Sequence, residues 1–85
     1  MVPMENDDLI VLMEAGYLYL AMQKFSEAQE VFEGAIALVP ESEVPLVALG
    51  SVFFAQEKFD KALSWYRKAL KKNPQSAFEI GRAHV

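Results

Sequence analysis

Eighty-five residues with a net charge of −4 and no cysteine leave room for one small domain, and exclude a disulfide framework or a zinc–thiolate site. The acidic balance argues against nucleic acid as the main partner, and the long apolar stretches are interrupted, by Glu14, Gln23 or Lys24 in the first half, far short of a membrane span. A hydrophobic share of 53% is high for so short a chain, so apolar surface is expected to remain for a partner or for a second copy.

The lead, residues 1–8, ends in Asn6, Asp7 and Asp8, whose oxygens and charge suit the open amides of a first helical turn. Its acidic residues do not form the basic, then apolar, pattern of a secretory leader, so none is expected here. A first helix is expected from about Asp8 to Met22. Its apolar residues, Leu9, Ile10, Leu12, Met13, Ala15, Tyr17, Leu18, Tyr19 and Leu20, run nearly all the way round, which predicts burial on more than one side. Gly16 interrupts it at a cost of about 1 kcal/mol against alanine, so a close helix approach is expected there.

Gln23, Lys24 and Phe25 make a short turn. Ser26-Glu27-Ala28-Gln29 reads as a capping box that opens a second helix. That helix is expected to reach Leu38, with Ala28, Val31, Phe32, Ala35 and Ile36 on one stripe. Val39-Pro40 ends it. Two helices joined by three residues pack antiparallel.

Thirty-four residues on, the pattern returns without a gap. Leu12 falls on Leu46, Gly16 on Gly50, Lys24 on Lys58, Phe25 on Phe59, Ala28 on Ala62, Ala35 on Ala69 and Pro40 on Pro74. A fixed period of this length marks a stacked repeat. Ser42 or Glu43 is expected to open the third helix, with Pro45 tolerated in its first turn. It should run to about Ala55. Asp60 is expected to cap a fourth helix, which runs to about Lys72 with Lys68, Lys71 and Lys72 at its negative end. Asn73-Pro74 stops it, and a fifth helix should begin at Ala77. Tyr66 is expected in the core, with Trp65 against a neighbouring helix. The organisation is therefore a lead (1–8), two repeats (9–42 and 43–76) and the start of a truncated third (77–85).

Residues 79–85 abandon the pattern. They reverse-translate to GAG ATC GGA AGA GCA CAC GTC, and TGA follows in the opening of a widely used short-read sequencing adapter. The expectation is read-through of a truncated fragment after Phe78, which leaves His84 without a role. A native gene encoding those seven residues would overturn it.

Charge divides along the chain. Residues 1–43 hold nine acids and one base, and residues 44–85 hold three acids and seven bases. The two readings are solvated faces of opposite sign, or ends that attract head to tail. The basic stripe of Lys61, Arg67, Lys68, Lys71 and Lys72 reads as a solvated face or as a site for an acidic partner. No carboxylate pair sits in a plausible cleft, the four glycines stand apart, and the serines of the repeats have no histidine partner. Neither an enzyme nor a metal or cofactor site is expected.

The repeated residues Leu12, Gly16, Tyr19, Ala28, Phe32, Ala35, Pro40 and Leu46, Gly50, Phe53, Ala62, Tyr66, Ala69, Pro74 resemble the tetratricopeptide repeat, over residues 9–76. Ala15 departs from that pattern, and Gln23 and Glu57 stand where a turn glycine is usual. The resemblance implies an all-α fold: tandem antiparallel helix-turn-helix units in a right-handed superhelix, with the first helices lining a concave groove. Carried over by position, the groove residues are Ile10, Met13, Glu14, Tyr17, Leu20, Val44, Val47, Ala48, Ser51 and Phe54. The lysine, asparagine and arginine clamp that one subfamily uses for a carboxylate tail is missing. Met13, Tyr17, Val47 and Ser51 hold those slots. The resemblance thus implies a protein-binding scaffold or co-chaperone taking an apolar or amphipathic peptide, and the absence of cysteine makes the cytoplasm the expected compartment. Small type III secretion chaperones of this family are similar in having such a groove. A structural module for self-assembly or spacing is the rival reading.

Overall fold

The breaks between helices come from two kinds of turn. A computed structural model describes residues 6–83, with side chains over 8–81, and shows five helices: α1 (Asn6–Ala21), α2 (Phe25–Leu38), α3 (Val44–Ala55), α4 (Phe59–Lys72) and α5 (Ser76–Ala83). No strand occurs among the described residues. Between hairpins the stop is proline. Pro40 and Pro74 follow Val39 and Asn73, which leave the helical region and donate back to Ala35 and Ala69 at 2.9 Å.

Within each hairpin the turn is a left-handed helix end. Lys24 donates to the Tyr19 carbonyl at 2.8 Å and Gln23 to that of Leu20 at 2.9 Å; Lys58 and Glu57 repeat this on Phe53 and Phe54, both at 2.9 Å. That pair of bonds needs one residue at positive φ, usually glycine. Here Gln23 and Glu57 hold it, each at φ 61°. A side chain in that region costs about 1–2 kcal/mol, and glycine's extra chain entropy offsets about 0.5–1 of it. Gln23→Gly and Glu57→Gly are each expected to gain about 0.5–1 kcal/mol, read as a raised urea midpoint at unchanged slope. Lower midpoints would mean that the two side chains contribute more than their backbone strain removes.

These turns also correct the expected caps. The chain passes from Lys24 straight into α2 and from Lys58 straight into α4, so Ser26 and Asp60 fall inside the first turn. Neither Lys24 nor Lys58 makes a side-chain capping bond, and the capping box does not form. Glu27 and Asp60 instead place charge at the positive helix ends. Before α3, Glu43 holds the cap position while the Ser42 hydroxyl accepts the Val44 N–H at 3.2 Å. α1 begins at Asn6 rather than Asp8, and α5 begins at Ser76 rather than Ala77.

Packing follows the small–aromatic–small stripes. Ala28, Phe32 and Ala35 of α2 are buried, as are Ala62, Tyr66 and Ala69 of α4. The Phe32 ring lies on Gly16, and the Tyr66 ring lies on Gly50. α3 sits in the middle, touching α1, α2, α4 and α5. Every residue from Pro45 to Phe53 is therefore buried. Asn73 ties the ends of the second hairpin, donating to the Glu43 carboxylate at 3.1 Å. Trp65 packs part-buried against the core.

Candidate functional site

The spacing of Ile10, Met13, Glu14 and Tyr17 puts them on one stripe of α1. With Leu9 beside them and Val44 from the start of α3, they line an open cleft of about 470 Å³. Met13 is buried and forms part of its base, while Ile10 and Tyr17 stand exposed on its walls. Glu14 is the one charged side chain among the lining residues.

Tyr17 is held in place from behind. Its ring meets Phe32 edge to face, centroids 5.2 Å apart at 63°. Phe32 can occupy that spot only because Gly16 has no side chain. Burial pushes the Tyr17 hydroxyl above its usual pKa of 10.0, and the nearby Glu79 and Tyr66 push the same way. The phenol therefore remains a neutral donor at physiological pH.

Five of the ten expected groove residues, Ile10, Met13, Glu14, Tyr17 and Val44, meet in this cleft. The other five lie elsewhere. Val47 and Ser51 are only 5% and 7% exposed, and Ala48 is fully buried, because α1 and α5 flank the inner face of α3. The Ser51 hydroxyl donates to the Val47 carbonyl at 3.2 Å and bonds the Tyr66 hydroxyl, so its polarity is used internally. Leu20 is half-buried against the core. Phe54 is exposed, but sits at the far end of α3, edge to face with Phe59 at 5.2 Å.

Leu9 lines the cleft although its place in the pattern reads only as core. Phe78 of α5 occupies the register slot of Ile10 and Val44, two and one periods back, and is exposed. Sliding the sequence by 34 once more would have found it.

The basic stripe of α4 is partly folded onto aromatic faces. The Lys68 ammonium lies 4.2 Å from the Trp65 ring centre and that of Lys61 lies 5.6 Å from Phe53. Among the described residues no group of three His, Cys, Asp or Glu could hold a metal ion, and no helix is long and apolar enough to cross a membrane.

Paired antiparallel helices at a 34-residue period, with a cleft on the first helices, define an α-helical repeat protein. The sequence model of the tetratricopeptide repeat matches residues 13–77, and the chain belongs to that family. It is 33% identical over 73 residues to tetratricopeptide repeat protein 17 of Rattus norvegicus, and equally to that of Homo sapiens and of Mus musculus. The match covers 86% of this chain but 6% of each relative's length. No solved structure gives a significant match. The family's general role is protein–protein interaction.

Proposed function

We propose that the cleft of α1 and α3 takes the apolar face of a partner's amphipathic helix or extended segment. The observation that carries this is the lining: Leu9, Ile10, Met13, Tyr17 and Val44 around one concavity, with Glu14 alone supplying charge. An apolar trough with one rigid aromatic wall and a polar hydroxyl suits a ligand that binds by buried area and is oriented by one polar contact. Phe78 of α5, exposed in the same register row as Ile10 and Val44, is a further apolar side chain available to such a ligand. Scaffold and co-chaperone roles would both use this capture step. A cysteine-free chain of this kind suits the reducing cytoplasm.

The test is fluorescence anisotropy with a labelled helical peptide carrying leucine and phenylalanine at i, i+3, i+4 and i+7. Wild-type protein is expected to bind it. Ile10→Lys and Tyr17→Lys are expected to lose about a hundredfold in affinity, close to 2.7 kcal/mol, with helicity by circular dichroism unchanged. Phe54→Lys, outside the cleft, should bind like wild type. Full binding by the Ile10 and Tyr17 variants would remove the cleft as the site.

A further inference from the structure

The 34-residue register places Val11, Ala15 and Leu18 of α1 on Pro45, Leu49 and Val52 of α3. In α3 these positions are buried, Leu49 and Val52 completely. In α1, Val11 and Leu18 are 64% and 62% exposed, and Met22 continues the strip. The cause is neighbours. α3 has the α1–α2 hairpin against it, whereas among the described elements α1 packs on α2 and α3 alone. α1 thus carries the apolar strip that α3 uses to receive a second helix, and no described element lies on it.

The matching strip is on α4. Phe25, Gln29 and Ile36 of α2 are part-buried where α3 packs, but their register twins Phe59, Leu63 and Leu70 of α4 are exposed. The described part of α5 leaves Phe59, Leu63 and Leu70 of α4 exposed. The helices that carry the strips also differ in charge: α1 bears Asp8 and Glu14 and no base, whereas α4 sets Lys61, Arg67, Lys68, Lys71 and Lys72 against Asp60 alone.

We propose that these strips form a head-to-tail contact between copies of this chain, with α1 of one copy lying along α4 of the next as α3 lies along α2. Opposite charge brings the copies together, and Val11, Leu18 and Met22 cover Phe59, Leu63 and Leu70. Such a contact joins different faces, so it propagates instead of closing on a pair. The incoming α1, 16 residues long, takes the place of α5, whose covered side chains among the described residues are Ser76 and the part-buried Ile80. The strip is separate from the cleft: Ile10 and Tyr17 take no part in it.

The test is analytical ultracentrifugation of the full chain at rising concentration and at low and high salt. Mass is expected to climb past the dimer with concentration and to fall with salt. Leu18→Glu blocks one strip and Leu63→Glu the other, and both positions are exposed, so helicity should hold. Each variant alone is expected to stay monomeric. Mixed, they should form a heterodimer and stop there, since one complementary pair of strips survives. Val11→Glu should behave like Leu18→Glu and guards against a local fault of that variant. Ile80→Ala, by loosening α5, should tighten self-association about tenfold. A wild-type chain monomeric at every concentration overturns the proposal and leaves the strip to a helix from another protein. Association of Leu63→Glu alone overturns it in favour of α1 meeting α1. A monomeric mixture, or no tightening with Ile80→Ala, overturns the head-to-tail register.

Discussion

Gly50→Ala is expected to lose about 3 kcal/mol, most of the 3–5 kcal/mol that a core of this size supplies. The added methyl would land inside the Tyr66 ring. Tyr66 cannot retreat cheaply, because its ring is buried and its hydroxyl is bonded to Ser51. Gly16→Ala meets the Phe32 ring in the same way and should lose a similar amount, taking the support of Tyr17 with it. Gly34→Ala is the control. Nothing lies within 4 Å of its added carbon, so the gain in helix propensity should stabilise by about 1 kcal/mol. Urea unfolding of the three variants separates them by sign. A neutral Gly50→Ala would mean that the helices of the second hairpin can part without loss. Shrinking the ring in the double variant Gly50→Ala/Tyr66→Leu should recover part of the deficit, since the two sites are in contact.

Leu49→Ala is expected to cost about 3 kcal/mol, because the side chain is fully buried and the hole it leaves is walled by packed helices. Ala15→Leu, the reverse change at the same register position of α1, should shift stability by no more than about 0.5 kcal/mol. One position of the template is thus deep interior in one repeat and half-open in the other. The two urea midpoints measure that difference. Equal effects would show that the exposed side of α1 is covered by a described or neighbouring element after all.

Most of the fold can be read in residue order. Pro40 and Pro74 end the second helices, the paired alanines mark the stripes that pack, and Gly16 and Gly50 flag a close helix approach, which the structure fills with the Phe32 and Tyr66 rings. The starts of α2 and α4 could not be read correctly, whereas α3 opens at Glu43 as expected. Ser26 and Asp60 are good capping types standing two residues after the actual boundary. What sets that boundary is the backbone at Gln23 and Glu57, where neither residue type advertises a positive φ. The cleft was partly legible, since Ile10, Met13 and Tyr17 share a helical stripe. Val47 and Ser51 hold the same slots in the next repeat but are buried. Their burial comes from α1 and α5 on either side, a property of position in the array that a single repeat's pattern does not contain.

α3 has no wet side between Pro45 and Phe53. Such a segment has no means of standing alone in water, and short helices are marginal there even when their sequence favours them. It can form only as the surrounding hairpins close over it, so its assembly is the shared, all-or-none event of the molecule. Thermal fraying must then begin at the outer helices and reach the centre last. Transient loosening therefore concentrates at the outermost surfaces.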